Sequence, residues 1–308
     1  MVNKESNFAS AVIYLNGKNN NLFSFLEMIS KVFQSNFKKY EIICVNDSEN
    51  ESEIEAIKKF KEQNGSISVS VITMGFTHGL EASMNAGIDL AIGDFVFEFD
   101  NCYVDYEESM IMEIYHKALE GYDIVSAVPP KSKISSKFFY SIYNRFSESD
   151  YDIKTERFRV ISRRAINRTS SFSKTIPYRK AVYASSGLKV KSIQYKTIAE
   201  PSGLLCSDSE KGNTAMDAVV IFTNLAYKVS LCVSMIMAMF MIITGIYTVV
   251  MYFGQNKPVA GWAPLMGLIS IGFLAVFVVL TIIIKYLDVL LKIVFKKQKY
   301  LISSIEKY

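Results

Sequence analysis

The stretch GLEASMNAGIDLAIGDFVFEFDNCYVDY, residues 79–106, decides the fold. A helical segment leads there into the apolar run DFVFEF (Asp94–Phe99), and carboxylates follow where that run ends. The same succession of apolar runs and helical patterns fills the first 130 residues. Strands that alternate strictly with helices predict an α/β fold, in which a mostly parallel sheet has helices on both faces.

Five apolar runs have the length of strands, and helical patterns separate them. In the first interval Leu22, Leu26, Ile29 and Phe33 keep a period of about 3.6 residues. The predicted strands are Ser10–Leu15, Tyr40–Val45, Ile67–Thr73, Asp94–Phe99 and Tyr122–Val128. Because ligands of such sheets bind beyond the carboxyl ends of the strands, the residues that follow each strand are the first candidates for a site.

Two strand ends carry candidate ligand side chains. Asn46 and Asp47 follow the second strand in CVNDSENES, and Asp100 follows the fourth strand, with Glu98 two residues before it. An acidic side chain at a strand end accepts hydrogen bonds from a base or a ribose, or holds a divalent ion that bridges a diphosphate. A turn or a helix N-cap is the alternative, since both also favour Asp and Asn. Both interpretations stay open for Asp47, whereas the pattern favours binding for Asp100.

The excess apolar character of the chain lies in its last third. Its 308 residues include 34 basic and 30 acidic ones, half are hydrophobic, and the mean hydropathy is +0.19. This composition excludes a disordered chain, a nucleic-acid-binding tail and an ordinary soluble enzyme. Val229–Phe253 and Ala260–Ile284 hold 25 uncharged residues each, enough to cross a hydrocarbon core of ~30 Å. We expect two transmembrane helices joined by a tight external turn.

Lysines after the second apolar segment set the expected orientation. Six lysines and two acidic residues follow Ile284, against one lysine between the two segments. The positive-inside rule then places the N-terminal domain and the C-terminal tail in the cytoplasm, as parts of a multi-pass protein of the inner (plasma) membrane. The first ten residues lack the apolar run of a signal peptide, and the four scattered cysteines are expected to be free thiols.

A basic segment precedes the apolar pair. All seven arginines lie between Arg145 and Arg179, and Phe138, Ile142 and Phe146 repeat at helical spacing beside several lysines. A basic amphipathic helix with aromatic side chains is typical of the surface of an anionic bilayer. The alternative is a solvated basic face with a core-facing stripe, because periodicity alone does not separate a membrane from a protein core.

The order of these segments resembles a known family. CVNDSENES, residues 79–106, ERFRVISRR (residues 156–164), the two apolar spans and the basic tail together resemble the polyprenyl-phosphate glycosyltransferases of glycosyltransferase family 2. That family includes the bactoprenol glucosyltransferases and the dolichyl-phosphate mannose synthases. The resemblance covers nearly the whole chain. It implies a GT-A fold, Mg or Mn as cofactor, and transfer of a hexose from a UDP- or GDP-linked sugar to a polyprenyl phosphate at the cytoplasmic face.

The resemblance also assigns roles to individual residues. It gives donor binding to Asn46, Asp47, His78 and Glu98, metal binding to Glu98 and Asp100, and the lipid phosphate to Arg159 and Arg163, with Asp100, Arg159 and Arg163 as the catalytic set. His78 lies in a loop before a helix, where the alternative is a solvent-exposed histidine. The two histidines lie in no nucleophile or zinc pattern, which argues against a Ser-His-Asp enzyme or a zinc site.

Several positions depart from the family motifs. They are Asn46, Cys102, Val104, Arg157, Glu200 and Cys206. Cys102 stands at the second acidic position of the metal motif, where a thiol is a poor ligand for Mg, so the cofactor is in doubt. Two functions therefore stay open. One is an active transferase, and the other is a catalytically inactive relative that serves as membrane partner or regulator of an active enzyme.

The predicted organisation has four parts. They are a nucleotide-sugar-binding core (residues 1–130), an acceptor-side segment with interfacial amphipathic helices (131–228), two transmembrane helices (229–253 and 260–284) and a basic cytoplasmic tail (285–308). The expected partners are the nucleotide-sugar, the polyprenyl phosphate and the lipid bilayer, but no nucleic acid. The interfacial and spanning helices also predict self-association or a partner membrane protein.

Overall fold

A computed structural model describes most of the chain and divides it into two compact units. The described residues are 4–19, 21–48, 50–65, 67–130, 134–146, 151–172, 178–198, 225–253, 262–294 and 300–308. One unit joins Met1–Ala218 with Phe295–Tyr308, and the other is Val219–Val294. The C-terminal residues therefore belong to the same unit as the N-terminal domain.

The described residues form eight strands and nine helices. The strands are β1 (Glu5–Leu15), β2 (Phe37–Asn46), β3 (Val69–Met74), β4 (Phe95–Phe99), β5 (Ile124–Val128), β6 (Phe158–Ser162), β7 (Val190–Gln194) and β8 (Ile302–Lys307). The helices are α1 (Leu22–Asn36), α2 (Glu51–Gln63), α3 (Leu80–Leu90), α4 (Ser109–Leu119), α5 (Ile134–Phe146), α6 (Arg163–Phe172), α7 (Arg179–Ser185), α8 (Leu225–Phe253) and α9 (Trp262–Val294). All five predicted strands form.

All eight strands join one sheet in the order β7-β5-β6-β4-β1-β2-β3-β8. The pairs β4/β1, β1/β2, β2/β3 and β5/β7 are parallel. Only β6, between β4 and β5, and β8, beside β3, run antiparallel to their neighbours. The predicted α/β class with a mostly parallel sheet is confirmed, and the carboxyl ends of β1 to β4 lie at one edge.

Helices cover both faces of the sheet, as expected. Alternate residues of β1 face opposite ways, so that Ile13 packs with α1, α2 and α4 while Val12 packs with α3, α6 and α7. The contact of α3 is especially close at Gly87. A Cβ added there would lie 2.4 Å from Val12 Cγ1 and 2.7 Å from Val45 Cγ2. Glycine is therefore required where this helix crosses the sheet.

Three strands were not predicted, and they alter the expected organisation. Strands β6 and β7 come from the segment assigned to the acceptor side, and β8 comes from the predicted basic tail. The division at residue 130 thus runs through a single sheet. The pattern of β6 is interrupted by Arg159, which sits opposite Glu98 in the neighbouring strand. A charged residue that is buried by an ion pair with a neighbouring strand looks like an exposed residue in the sequence, so the strand was not predicted.

The second unit is a pair of long apolar helices. Within α8 and α9, Leu231–Met251 and Leu265–Leu287 are long and apolar enough to cross a membrane. Ser234 and Thr281 place their hydroxyl oxygens 2.8 Å apart, so the two helices pack against each other. These helices overlap the predicted spans.

Several predicted features fall outside the described residues. The basic amphipathic segment contributes helix α5, yet Lys131, Lys133 and the side chains of its apolar stripe lie outside the description. Glu200 and Cys206 lie outside it as well. The prediction of an interfacial helix therefore stays a prediction.

Candidate functional site

Asp47 lies at the carboxyl end of β2 and holds the loop that enters α3. Its Oδ1 accepts a hydrogen bond from the backbone N–H of His78 (2.8 Å), and its Oδ2 accepts from Gly79 N–H (2.8 Å) and the Tyr14 hydroxyl (3.0 Å). The side chain is buried. Neighbouring Asn46 is also buried, and its side-chain oxygen Oδ1 accepts hydrogen bonds from the backbone N–H and the hydroxyl of Ser48. Both residues shape the loops of this edge by local hydrogen bonds.

The loop after β1 is fixed in a similar way by a carboxylate that no sequence motif marks. Buried Glu53, on α2, accepts from the backbone N–H groups of Gly17 (2.9 Å) and Asn19 (3.0 Å) and from the Asn19 amide (2.8 Å). Gly17 has φ +77°, a conformation that L side chains rarely adopt. The loops after β1, β2 and β3 are thus held in place beside one another at the edge.

Glu98 and Asp100 share one side of the sheet at the end of β4. Glu98 is fully buried, and the side chain of Asp100 is 15% exposed. Although β4 ends at Phe99, both carboxylates meet the same two guanidinium groups, those of Arg159 and Arg179. The predicted acidic pair therefore exists in space, with two arginines between its members.

Arg179 is the centre of this cluster. Its Nη1 donates to Glu98 Oε2 (2.6 Å), its Nη2 donates to Asp100 Oδ1 (2.7 Å), and its Nε and backbone N–H both donate to Glu81 Oε2 (2.9 Å each). Tyr183, one turn later in α7, donates its hydroxyl to Glu98 Oε1 (2.7 Å). The arginine is fully buried and is bound through both its main chain and its side chain.

Arg159 closes the cluster from β6. Its guanidinium lies 3.1 Å from Glu98 Oε2, 3.1 Å from Asp100 Oδ2 and 3.1 Å from Glu156 Oε2. It also lies over the ring of Tyr183, 5.7 Å from the centroid. Arg159, which the resemblance assigns to the lipid phosphate, thus lies against Asp100, which it assigns to the metal.

The pKa values of the two carboxylates are shifted in opposite directions, because burial outweighs the attraction of the cations at Glu98 and the cations outweigh burial at Asp100. Burial raises the pKa of Asp100, but the attraction of Arg179, Arg159 and Lys180 outweighs it, so this pKa lies below the ordinary value. Burial raises the pKa of Glu98 above the ordinary value, against the attraction of Arg179 and Arg159. Burial lowers the pKa of Arg179, but the attraction of its carboxylate neighbours outweighs burial, so this pKa lies well above the ordinary value. Asp100 and both arginines are therefore charged at neutral pH.

The predicted metal pair does not fit a divalent ion in this arrangement. All four oxygens of Glu98 and Asp100 already contact Arg159, Arg179 or the Tyr183 hydroxyl. No group of three or more His, Cys, Asp or Glu side chains among the described residues could hold a metal ion. Cys102 is not a ligand either, because it is buried in the apolar core and burial raises the pKa of its thiol well above the ordinary value.

Arg163 does not join the cluster. Its guanidinium donates to the carbonyl oxygens of Ala91 (2.8 Å) and Gly93 (2.6 and 3.0 Å), and its backbone N–H donates to Asp94 O (2.8 Å). These residues precede β4, whereas Asp100 follows it, so the two side chains are separated by about 20 Å of strand. Arg163 holds the turn between α3 and β4, and the predicted pairing with Arg159 is not formed.

His78 links the edge to the C-terminal segment. Its Nε2 accepts from the backbone N–H of Leu301 (3.0 Å), its Nδ1 lies 2.5 Å from Phe76 O, and its ring stacks on Phe76 with centroids 3.8 Å apart. The histidine is half-buried, and Phe76 is 60% exposed. The predicted donor-binding histidine is therefore at the edge, but its ring is bound to the chain itself.

A second buried ion pair lies near the same edge and was not predicted. Arg157 donates to both oxygens of Asp105 (2.9 and 2.5 Å), and Tyr195 donates its hydroxyl to Asp105 (2.7 Å). Burial lowers the pKa of Arg157, but its hydrogen bonds to Asp105 and Tyr195 raise it above the ordinary value. Arg157, a departure from the family motif, thus has a carboxylate partner 52 residues away.

Comparison with known proteins identifies the family. Residues 20–183, more than half of the chain, match the family described as glycosyl transferase family 2. The chain belongs to glycosyl transferase family 2. This family 2 glycosyltransferase is 26% identical over 306 residues to the uncharacterized glycosyltransferase sll0501 of Synechocystis sp., covering 96% of this chain and 95% of the relative. It is 25% identical over 205 residues to the putative glycosyltransferase CsbB of Bacillus subtilis, covering 64% and 61%.

Solved structures with the same fold include two glycosyltransferase complexes. One is the mannosyltransferase PcManGT from Pyrobaculum calidifontis with GDP-Man and Mn²⁺, with a TM-score of 0.51, 11% identity and coverage of 65% of this chain and 59% of that one. The other is glucosyl-3-phosphoglycerate synthase from Mycobacterium tuberculosis with Mn²⁺, UDP-Glc and phosphoglyceric acid, with a TM-score of 0.51, 11% identity and coverage of 70% and 78%. This likeness confirms the GT-A fold.

Proposed function

We propose that this family 2 glycosyltransferase is a membrane protein that transfers a hexose from a UDP- or GDP-linked sugar to a polyprenyl phosphate at the cytoplasmic face. The product would serve the assembly or modification of cell-surface glycans. One observation carries the lipid acceptor. The strand that follows the two apolar helices, β8, belongs to the same sheet as the candidate site. A sheet whose last strand follows a membrane-length helix pair in the chain is tethered to the bilayer by that pair, and a lipid would then be an accessible acceptor.

The sheet also supports the topology. Tyr308 N–H donates to Val69 O (2.8 Å), and Gly75 N–H donates to Leu301 O (2.8 Å), so the chain returns to β3 after α9. This return agrees with the proposed two crossings, which leave both ends of the apolar pair on one side of the membrane. The lysines after Ile284 assign that side to the cytoplasm. We propose the inner (plasma) membrane as the location, as the resemblance implies.

The reaction requires little general-base catalysis by the protein. An acceptor phosphate oxygen, already anionic, forms a bond to the anomeric carbon, while the bond from that carbon to the diphosphate oxygen breaks and the nucleoside diphosphate leaves. Orientation and charge stabilisation are the main requirements. We assign donor orientation to the loops held by Asn46, Asp47 and His78. We assign Asp100, the partly exposed member of the Glu98/Asp100 pair, to the donor side.

A second function is favoured by a different observation. All four oxygens of Glu98 and Asp100 are bonded within the protein, as expected for a relative that keeps the fold without turnover. Such a protein would act as a membrane partner or regulator of an active transferase, either as an oligomer or with another membrane protein.

A transfer assay separates the two functions. The full-length protein in detergent is incubated with a polyprenyl phosphate and a panel of UDP- and GDP-sugars, with Mg²⁺, Mn²⁺ or EDTA, and the lipid-linked sugar is measured by mass spectrometry. We expect product with one donor and much less product from Asp100→Asn. Absence of product with every donor, together with no thermal stabilisation by UDP or GDP, would refute the transferase and leave the partner function.

A further inference from the structure

The arginine cluster nearly balances its own charge. Its carboxylates are Glu81, Glu98, Asp100 and Glu156, and its cations are Arg159, Arg179 and Lys180. With Glu98 ionised, four negative and three positive charges leave a formal charge of −1, and with Glu98 protonated the sum is zero. An acidic pair without these cations would carry −2 and would repel an incoming diphosphate.

The cations are permanent parts of the fold. Arg179 is 0% exposed and Arg159 is 1% exposed. Arg159 pairs across two strands with Glu98, and Arg179 begins α7 with its main-chain N–H also bound to Glu81. Moving either guanidinium away would take from Glu98, itself 0% exposed, one of the two cations that compensate its buried charge. Neither side chain is a flexible surface group that yields easily to a metal ion.

A divalent ion would meet these guanidiniums at close range. Oxygen ligands hold Mg²⁺ at about 2.1 Å. An ion on the oxygens that Arg179 contacts at 2.6 and 2.7 Å would then stand within roughly 5 Å of a fixed positive charge. The repulsion by the guanidiniums and the occupation of the carboxylate oxygens both disfavour binding of a divalent ion at Glu98 and Asp100.

We propose that Arg179 and Arg159 do the charge-balancing work of the divalent ion held by the solved GT-A complexes, so that this chain binds its nucleotide without metal at Glu98 and Asp100. The proposal rests on the proposed function for its ligand, a nucleoside diphosphate or its sugar. The arginines neutralise the two carboxylates from below the surface. The diphosphate then approaches a nearly neutral edge on which only Asp100 of the pair is exposed.

Two measurements on the full-length protein test this proposal. The first is the thermal shift caused by UDP and by GDP, each in EDTA and in Mn²⁺. We expect the stabilisation by the bound nucleotide to be equal in both. Stabilisation that appears only with Mn²⁺ would overturn the metal-free site while the transferase proposal stands. No stabilisation in either condition would instead count against nucleotide binding, and the second measurement then decides the metal question by itself.

The second measurement is a titration of Mn²⁺ without nucleotide, followed by the electron paramagnetic resonance signal of the free ion. Wild type is expected to leave that signal unchanged. Arg179→Gln, which removes one fixed charge beside both carboxylates, is expected to gain Mn²⁺ affinity on the order of tenfold or more. Arg164→Gln is the matched control, because Arg164 pairs with Asp123 and its side chain is 70% exposed. Its titration should match wild type.

The outcomes separate cleanly. Binding of Mn²⁺ by wild type that is lost in Asp100→Asn would overturn the proposal. A gain by Arg179→Gln with none by Arg164→Gln would support it. Should Arg179→Gln fail to fold, the wild-type titration and the EDTA comparison still decide the question.

Discussion

Arg157 and Arg164 each form a bidentate ion pair with a buried aspartate, and the arginines differ mainly in their burial. The side chain of Arg157, paired with Asp105, is 11% exposed, whereas that of Arg164, paired with Asp123, is 70% exposed. We predict that Arg157→Met destabilises the N-terminal unit far more than Arg164→Met does. Truncation of Arg157 leaves the Asp105 carboxylate buried with the Tyr195 hydroxyl as its remaining side-chain donor.

The expected magnitudes follow from burial. Removing one partner of a fully buried ion pair costs about 3–5 kcal/mol. Asp123 is buried too, but the guanidinium that pairs with it is exposed, so water replaces it, and Lys189 N–H (3.1 Å) and the Ser162 hydroxyl (3.4 Å) still donate to the carboxylate. We therefore expect a loss near the value for exposed pairs, about 0–1 kcal/mol. In a unit of this size 1 kcal/mol shifts Tm by about 2–4 °C, so Arg157→Met should lower Tm by about 6–20 °C and Arg164→Met by at most about 4 °C.

Differential scanning fluorimetry of the full chain in detergent measures both variants. The double variant Asp105→Leu/Arg157→Met should recover much of the loss, because apolar groups in place of a buried ion pair are often neutral. Equal losses of Tm in Arg157→Met and Arg164→Met would refute the assignment of Arg157 and Asp105 as a buried, strongly coupled pair.

Two further predictions concern the core. Gly87→Ala should destabilise the N-terminal unit by about 1–3 kcal/mol, because its Cβ would overlap Val12 and Val45, while Gly65→Ala, with nothing within 4 Å, should not; equal Tm values for the two variants would contradict this. Burial raises the pKa of the Cys44 thiol to about 12, so at pH 8 only about one molecule in 10⁴ carries the thiolate. Peptide mass spectrometry after N-ethylmaleimide treatment should find Cys44 unmodified in the folded protein and modified in urea, and modification without urea would contradict its burial.

The parallel part of the fold could be predicted from sequence because buried strands read as continuous apolar runs. Strand β6 was not predicted because Arg159 interrupts its apolar run. Burial of Arg159 depends on Glu98, which lies 61 residues earlier in the chain. The register that brings these two together is a property of the sheet and has no local signal. Strand β8 escaped for a related reason, since its polar residues lie on an exposed edge strand.

The candidate site was predicted in part. Asp47, Asp100 and Glu98 follow strand ends or lie near them, so their placement at one edge follows from topology. Arg179 was not predicted, although it lies at one end of the interval that holds all seven arginines. Its partner Glu98 is 81 residues away, and a short helix brings the two together. Arg163 is the opposite case. It lies only four residues from Arg159 in the sequence, but in the structure it contacts the turn before β4, far from the cluster at the other end of that strand.

Hydrogen–deuterium exchange with and without UDP and GDP tests most directly whether the nucleotide-sugar binds at the carboxyl edge of the sheet. Saturating nucleotide is expected to slow exchange in peptides that contain residues 46–50, 75–80 and 100–105. Peptides at the opposite edge, around residues 91–94 and 162–165, should be unchanged and serve as the internal control. Unchanged exchange at the carboxyl edge with both nucleotides, or protection confined to the opposite edge, would contradict the donor site placed there.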